Sequence, residues 1–314
     1  KVLSNGIFYG TKKVNEPNVF STVYGKAYLN PNYSLMTRLL DQELKPIITN
    51  PNVKYTMFMV SDAVLAAKGY SYNPGSNLWT FVNPIGGATT TNDSVRLNLM
   101  RMINTGVIET PNNELANLGV TGVNGIAGSY GGEYIKYDGN KVFSVGSIEK
   151  NVSVTIDSVR QVLNGQVAYI NDLLYYTYRP IGSTMAVLGT PAASEFNYFW
   201  NYLRNSTIFN ATTFEITGIT AGSFYTLFVP NRAAIIQAIN DGLLPGTAGV
   251  PNFTPTLIAD RLKVEKFILY HFLDKRTVVA NGNDIGSFPS MLRNTAGDPV
   301  TFSILYLGGV FDLG

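Results

Sequence analysis

The chain has 314 residues, 45% of them hydrophobic and 14% charged, with a formal net charge of +2 and no cysteine. That balance argues for a folded chain rather than a disordered one, and the length suits two modules with a core each. Near-neutral charge without a Lys/Arg run leaves no electrostatic footprint for nucleic acid or an anionic membrane, and the lack of cysteine excludes disulfides, thiolate metal sites and thiol nucleophiles. No apolar run reaches the roughly 18 to 20 residues a membrane-spanning helix needs. Lys1-Val2-Leu3-Ser4 is no signal peptide, so the chain reads as soluble, with any signal or lipid anchor upstream. High Tyr, Asn and Thr usage with low charge is compatible with a bacterial exported protein.

In chain order, Asn5-Gly6-Ile7-Phe8-Tyr9 is a turn dipeptide leading into strand residues, and Pro17 and Pro31 bracket a loop. Ser34 is placed to cap a helix running through Ile48, with Leu35, Leu39, Leu40 and Leu44 on one side and Pro46 ending or kinking it. Tyr55 to Met59 form an apolar strand that feeds a helix from Ser61 to Lys68, closed by Gly69. Residues 71–93, rich in Asn, Pro, Gly and Thr, read as a surface loop, after which Asp93 caps a helix carrying Val95, Leu99, Met102 and Ile103 inward.

From Val120 to Ile170 the pattern turns to β. Asp138-Gly139-Asn140 between Tyr134–Tyr137 and Val142–Val145 signals a hairpin, and Val152, Val154 and Ile156 mark one face of another strand. A further strand begins at Asn164-Gly165, and composition shifts to small residues between Ile181 and Ser194, where a domain boundary is expected. Beyond it, Phe196, Phe199, Trp200 and Leu203 follow helical spacing. Tyr225 to Val229 then run through Pro230-Asn231 into a helix to Asn240, repeating the Tyr55 unit. A helix over Ala259–Phe272 with Leu262, Phe267 and Ile268 and a strand over Val300–Leu307 complete the reading. A helical half before a β half, twice, argues for an α+β class.

These segments resemble the fasciclin-type domain family. Its modules begin near a [YF]-T-apolar-F-x-P-[TN]-[ND] junction, which Tyr225, Thr226, Phe228, Pro230 and Asn231 match, and end with an Asn-Gly strand, which Asn164, Gly165 and the residues through Leu174 match. The family's Tyr-His pair at a helix end is similar to Tyr270-His271. The first module departs from the pattern, with Ser61-Asp62 in place of Pro-Asn and roughly Met102-Ile103 in place of Tyr-His. The resemblance implies two tandem fasciclin-like modules, each a β-sandwich or wedge partly covered by helices. It places a first domain at 17–180 and a second at 181–314. Residues 1–16 then resemble the closing strand of a preceding module, and the second domain is expected to lack its own closing strand. Asn5 to Val14 are then expected either to cover the junction next to Pro17 within the chain, the arrangement a short connection favours, or to complete the open module of a neighbouring molecule, a route to oligomers by strand exchange.

Chemistry-bearing patterns are sparse. With one histidine, any triad must use His271, which sits on an apolar helix end and reads as structural, as the resemblance also implies. Gly125 to Gly132 lacks the Gly-Lys-Ser/Thr ending of a phosphate loop and leads into a strand. Asp138-Gly139-Asn140 lacks the alternating acids of a calcium loop, and Asp41 with Glu43 face different directions on a helix. No catalytic, cofactor or metal residue is assigned. Six N-x-[ST] sequons, at Asn32, Asn92, Asn151, Asn205, Asn210 and Asn252, read as products of composition or as glycan acceptors. Tyr175, Tyr176 and Tyr178 are candidate surface-binding aromatics, with a packed domain junction as the other reading. The resemblance implies a non-enzymatic extracellular or cell-surface adhesion protein with a protein or glycan ligand. Integrin binding is not carried over, because Ile156 to Leu163 lack the Asp-Ile motif of animal relatives. The second reading is a carbohydrate-binding component of a bacterial surface uptake system.

Overall fold

In the computed structural model the chain divides into two compact units, Lys1–Thr177 and Tyr178–Gly314. Residues 2–14, 17–220, 223–279, 284–307 and 310–313 are described; Lys1, Asn15 and Glu16 of the expected 1–16 segment lie outside them. Both units mix helices with sheet in the α+β manner.

The first unit is built on a seven-stranded sheet. Its order is Val107–Glu109, Tyr55–Val60, Gly165–Ile170, Val154–Val162, Lys141–Ser144, Tyr134–Asp138 and Asn124–Gly128. Every pairing is antiparallel except that of Gly165–Ile170 with Tyr55–Val60, which is parallel with Gly165 opposite Tyr55 and Ile170 opposite Val60. Tyr55–Val60 has a strand on each side and is buried at all six positions. A strand so enclosed is expected to lose the polar alternation of a half-exposed one and to read as a continuous apolar run. Helices Val23–Tyr28, Ser34–Leu40 and Asp93–Thr105 contribute Tyr24, Met36, Leu39, Leu99 and Met102 to the same core.

Four expectations change here. The helix expected from Ser34 to Ile48 is two helices, Ser34–Leu40 and Lys45–Ile48, and Pro46 lies in the first turn of the second. Proline is well placed there because no intrahelical donor is lost. Ser34 is not the cap: the Asp62 carboxylate accepts from Ser34 N at 3.1 Å, Leu35 N at 3.0 Å and Ser34 Oγ at 2.6 Å. The expected loop over 71–93 is a small antiparallel sheet of Tyr70–Asn73, Leu78–Val82 and Thr89–Thr91. Trp79 anchors it, 2% exposed and tilted against Tyr72 with ring centroids 5.1 Å apart. Lastly, Asn92 rather than Asp93 caps the following helix.

The second unit carries a five-stranded sheet ordered Thr226–Leu227, Phe272–Leu273, Gly286–Arg293, Pro299–Leu307 and Val310–Leu313. Its helices are Ile181–Gly189, Asn197–Arg204, Arg232–Asn240 and Ile258–Tyr270. The small-residue stretch after Pro180 is therefore helical, and Gly189 is needed there because a Cβ would meet Trp200 Cβ at 2.2 Å. Phe199, Trp200, Tyr202 and Leu203 fill a core with Ile235, Ile239, Ile268 and Phe272, distinct from the first unit's. At the N-terminus, Val2–Leu3 pairs with Gly6–Ile7 as a separate two-stranded hairpin.

Candidate functional site

Both units contain the same strand, capped helix, and later helix that turns back into a strand beside the first. Ser61 and Asn231 cap the first of these helices, accepting from Val64 N and Ala234 N. At the return, Phe58 N donates to Gly106 O at 2.8 Å and Phe228 N donates to His271 O at 3.0 Å. The residue standing where His271 stands is thus Gly106, and Tyr270 corresponds to Thr105; the sequence placement on Met102-Ile103 was one helical turn early.

His271 sits half-buried against Phe199, Phe267, Tyr270 and Phe302, with ring centroids 4.4 to 6.4 Å away. Its Nδ1 is 2.7 Å from the Phe267 carbonyl. A carbonyl can only accept, so that nitrogen carries the proton and the neutral ring presents Nε2 as its acceptor. Burial holds the imidazole below its ordinary pKa, with the Phe267 bond opposing the shift. Among the described residues, no cluster of three His, Asp or Glu side chains could hold a metal ion.

The remaining motif residues of the second unit also make fold contacts. Tyr225 Oη accepts from Thr220 N at 3.1 Å, and Thr226 Oγ1 donates to Arg276 O and accepts from Val278 N, both at 3.0 Å. Phe228 stacks on Phe302 at 5.0 Å, and Tyr270 lies 5.2 Å from the same ring. Pro230, half-buried, leads into the Asn231 cap.

Asn164 is the most connected of the motif residues. It is fully buried; its Oδ1 accepts from Val23 N at 2.8 Å, and its Nδ2 donates to Ile48 O at 2.8 Å and Asn50 O at 3.1 Å. Its own carbonyl accepts from Tyr55 N at 2.9 Å. Through its side chain and its carbonyl, one residue thus ties a helix start and a loop to the first residue of the buried strand. Gly165 follows with φ +123°, and a Cβ there would sit 1.9 Å from the Tyr55 carbonyl oxygen. Only glycine allows both that backbone and that approach.

The three candidate tyrosines do not share one environment. Tyr175 is half-buried, with Lys150 Nζ 5.2 Å from its ring centre, and burial pushes its phenol up. Tyr176 donates to Asn98 Oδ1 at 2.7 Å beneath the Arg101 guanidinium, 4.2 Å from the ring centre. Tyr178, the first residue of the second unit, is 75% exposed. Arg101 also bonds Glu133 Oε1 and Thr177 O, each at 3.3 Å, fastening the end of the first unit. Burial raises the Glu133 carboxyl.

Sequence reading passed over two clefts. In the first unit, Gln42, Asn77, Trp79, Asn92, Asp93 and Arg96 line a space of about 260 Å³. In the second, about 210 Å³ is bounded by Tyr202, Asn205, Thr207, Phe253, Arg261 and Glu265. Arg261 is fixed by Pro255 O at 3.2 Å and Thr256 O at 2.8 Å, and Tyr202 closes the floor by donating to Pro245 O at 2.5 Å. Beside this cleft the N-cap residue Leu257 and, in the helix Ile258–Tyr270, Ile258 and Leu262 are exposed, the last two sharing a face four residues apart.

No family model and no curated protein matches the chain. Among solved structures, a FAS1 domain pair from the insect cell adhesion molecule fasciclin I is similar over 91% of this chain and 88% of that one. The two share 10% identity with a TM-score of 0.31, a likeness too slight to carry an argument.

Proposed function

We propose that this protein is a non-enzymatic extracellular or cell-surface binding protein built from two fasciclin-like modules, spanning 17–180 and 181–314, whose ligand is another protein. The observation that carries the reading is the exposed apolar group Leu257, Ile258 and Leu262 at the start of a helix whose Val264 and Ile268 lie in the second core. Large apolar side chains clustered on a surface are characteristic of sites that another protein covers. The contacts of His271 support a non-catalytic reading, since its Nδ1 and ring faces are committed to packing. Replacing Ile258 and Leu262 by Asp is expected to abolish binding to cell-surface protein while the thermal melt stays unchanged. Undiminished binding would reject this surface.

A second reading, a carbohydrate-binding component of a bacterial surface uptake system, is favoured by the cleft under Phe253. A half-buried aromatic beside Asn205, Arg261 and Glu265 offers the apolar face and polar rim that sugars require. Saturable binding on a glycan array, lost in Arg261→Ala and retained in the Ile258/Leu262 variant, would establish this alternative over the first.

A further inference from the structure

The parallel strand that flanks Tyr55–Val60 has no counterpart at Thr226–Leu227 among the described residues. In the first unit the strand is enclosed by Val107–Glu109 on one side and Gly165–Ile170 on the other, and all six of its residues are buried. In the second unit, among the described residues, Thr226–Leu227 has the antiparallel neighbour Phe272–Leu273 alone. Thr226, Leu227, Phe228 and Val229 are correspondingly half-buried. Phe228 N uses the Phe272 side through His271 O, so the alternate residues Tyr225, Leu227 and Val229 turn their backbone groups to the open edge. In the first unit the equivalent donor, Tyr55 N, goes to Asn164 O.

What would fit that edge is shown by the chain itself. Asn164-Gly165 begins the flanking strand, and its glycine is demanded by the 1.9 Å approach a Cβ would make to Tyr55 O. Asn5-Gly6 repeats that dipeptide ahead of Ile7, Phe8 and Tyr9, which are 58%, 62% and 76% exposed. Where Gly6 now stands, a Cβ would meet nothing within 4 Å and φ lies outside the left-handed region, so the present hairpin gives no reason for glycine. A parallel strand laid against Tyr225 does.

We propose that Asn5 to Gly10 of a second copy of this chain adds to the open edge of the second unit as a parallel strand. The register follows the first unit's: Gly6 lies opposite Tyr225, Ile7 opposite Thr226, Phe8 opposite Leu227 and Gly10 opposite Val229. Main-chain bonds then supply affinity, and burial of Ile7, Phe8 and Tyr9 removes exposed apolar surface. Donor and acceptor surfaces differ, so the contact is heterologous and builds either a closed ring or an open chain of copies. This inference is independent of the ligand surface proposed above.

The test uses two full-length single-cysteine variants of this otherwise cysteine-free chain, Gly10→Cys and Val229→Cys, mixed under mild oxidation. A disulfide-linked dimer is expected in the mixture and not in either variant alone, and it should disappear when Gly6→Val is added to the Gly10→Cys chain. Because Gly6 is in open space, Gly6→Val leaves unchanged the circular-dichroism melt taken at concentrations too low for assembly. Sedimentation should show concentration-dependent assembly of the unmodified chain that Gly6→Val removes. No dimer in the mixture, a dimer that survives Gly6→Val, or an unmodified chain monomeric at every concentration would overturn the proposal.

Discussion

The imidazole of His271 is held neutral by its surroundings, and the consequence is measurable. An unfolded chain takes up the proton near the ordinary value of 6.5, while burial delays protonation of the folded form to lower pH. Between those two values the unfolded state carries the extra proton, so stability falls as pH falls. The contribution is complete above the unfolded value and lost as pH drops through the folded one. With Trp79→Phe in place, Trp200 fluorescence reports the second unit, and its unfolding midpoint is expected to decline from pH 7 to pH 5. In His271→Phe that decline should shrink. Glu133, whose carboxyl is raised by burial, acts in the opposite sense and lies in the other unit, so it does not disguise the result.

Elements in this protein are tied down by caps, of which only some are visible in sequence. Asn231 is legible because it immediately precedes its helix, whereas Asp62 caps the helix Ser34–Leu40 from 28 residues away and no local pattern announces it. Loss of the three bonds to Asp62 in Asp62→Ala is expected to cost about 1 to 2 kcal/mol, against about 1 kcal/mol for Asn231→Ala, each read by denaturant unfolding. The same division between local and distant cause explains the rest of the reading. Tyr55–Val60 was legible as an unbroken apolar run, and the Asp138-Gly139-Asn140 turn by its glycine, which has φ +55°. The break between Leu40 and Lys45 was not, because leucine spacing continues across it. The sheet at Tyr70–Thr91 was hidden by turn-forming residues whose strands are held by one buried tryptophan. The role of Asn164 was legible only as a motif, since its partners at Val23, Ile48 and Asn50 are brought to it by the fold. The cleft beside Phe253 joins residues 202–207 to residues 253–265, and neither stretch alone shows a pocket.

At the scale of the whole molecule, each unit has its own core and one of the two tryptophans. Trp79 is 2% exposed within the first core and Trp200 5% exposed within the second, so each reports packing of its own unit. The first unit encloses its central strand on both sides, while the corresponding Thr226–Leu227 has one neighbour among the described residues. A sheet open at that position forgoes a ladder of main-chain bonds and leaves half-buried what the first unit buries. The second unit is therefore expected to be the less stable. In single-tryptophan variants Trp79→Phe and Trp200→Phe, urea should yield two separate transitions, the one followed by Trp200 at lower denaturant. Because the slope of unfolding scales with the surface exposed, the shorter second unit should also give the smaller m-value. Coincident transitions with equal slopes in both variants would mean that the two cores unfold as one cooperative body.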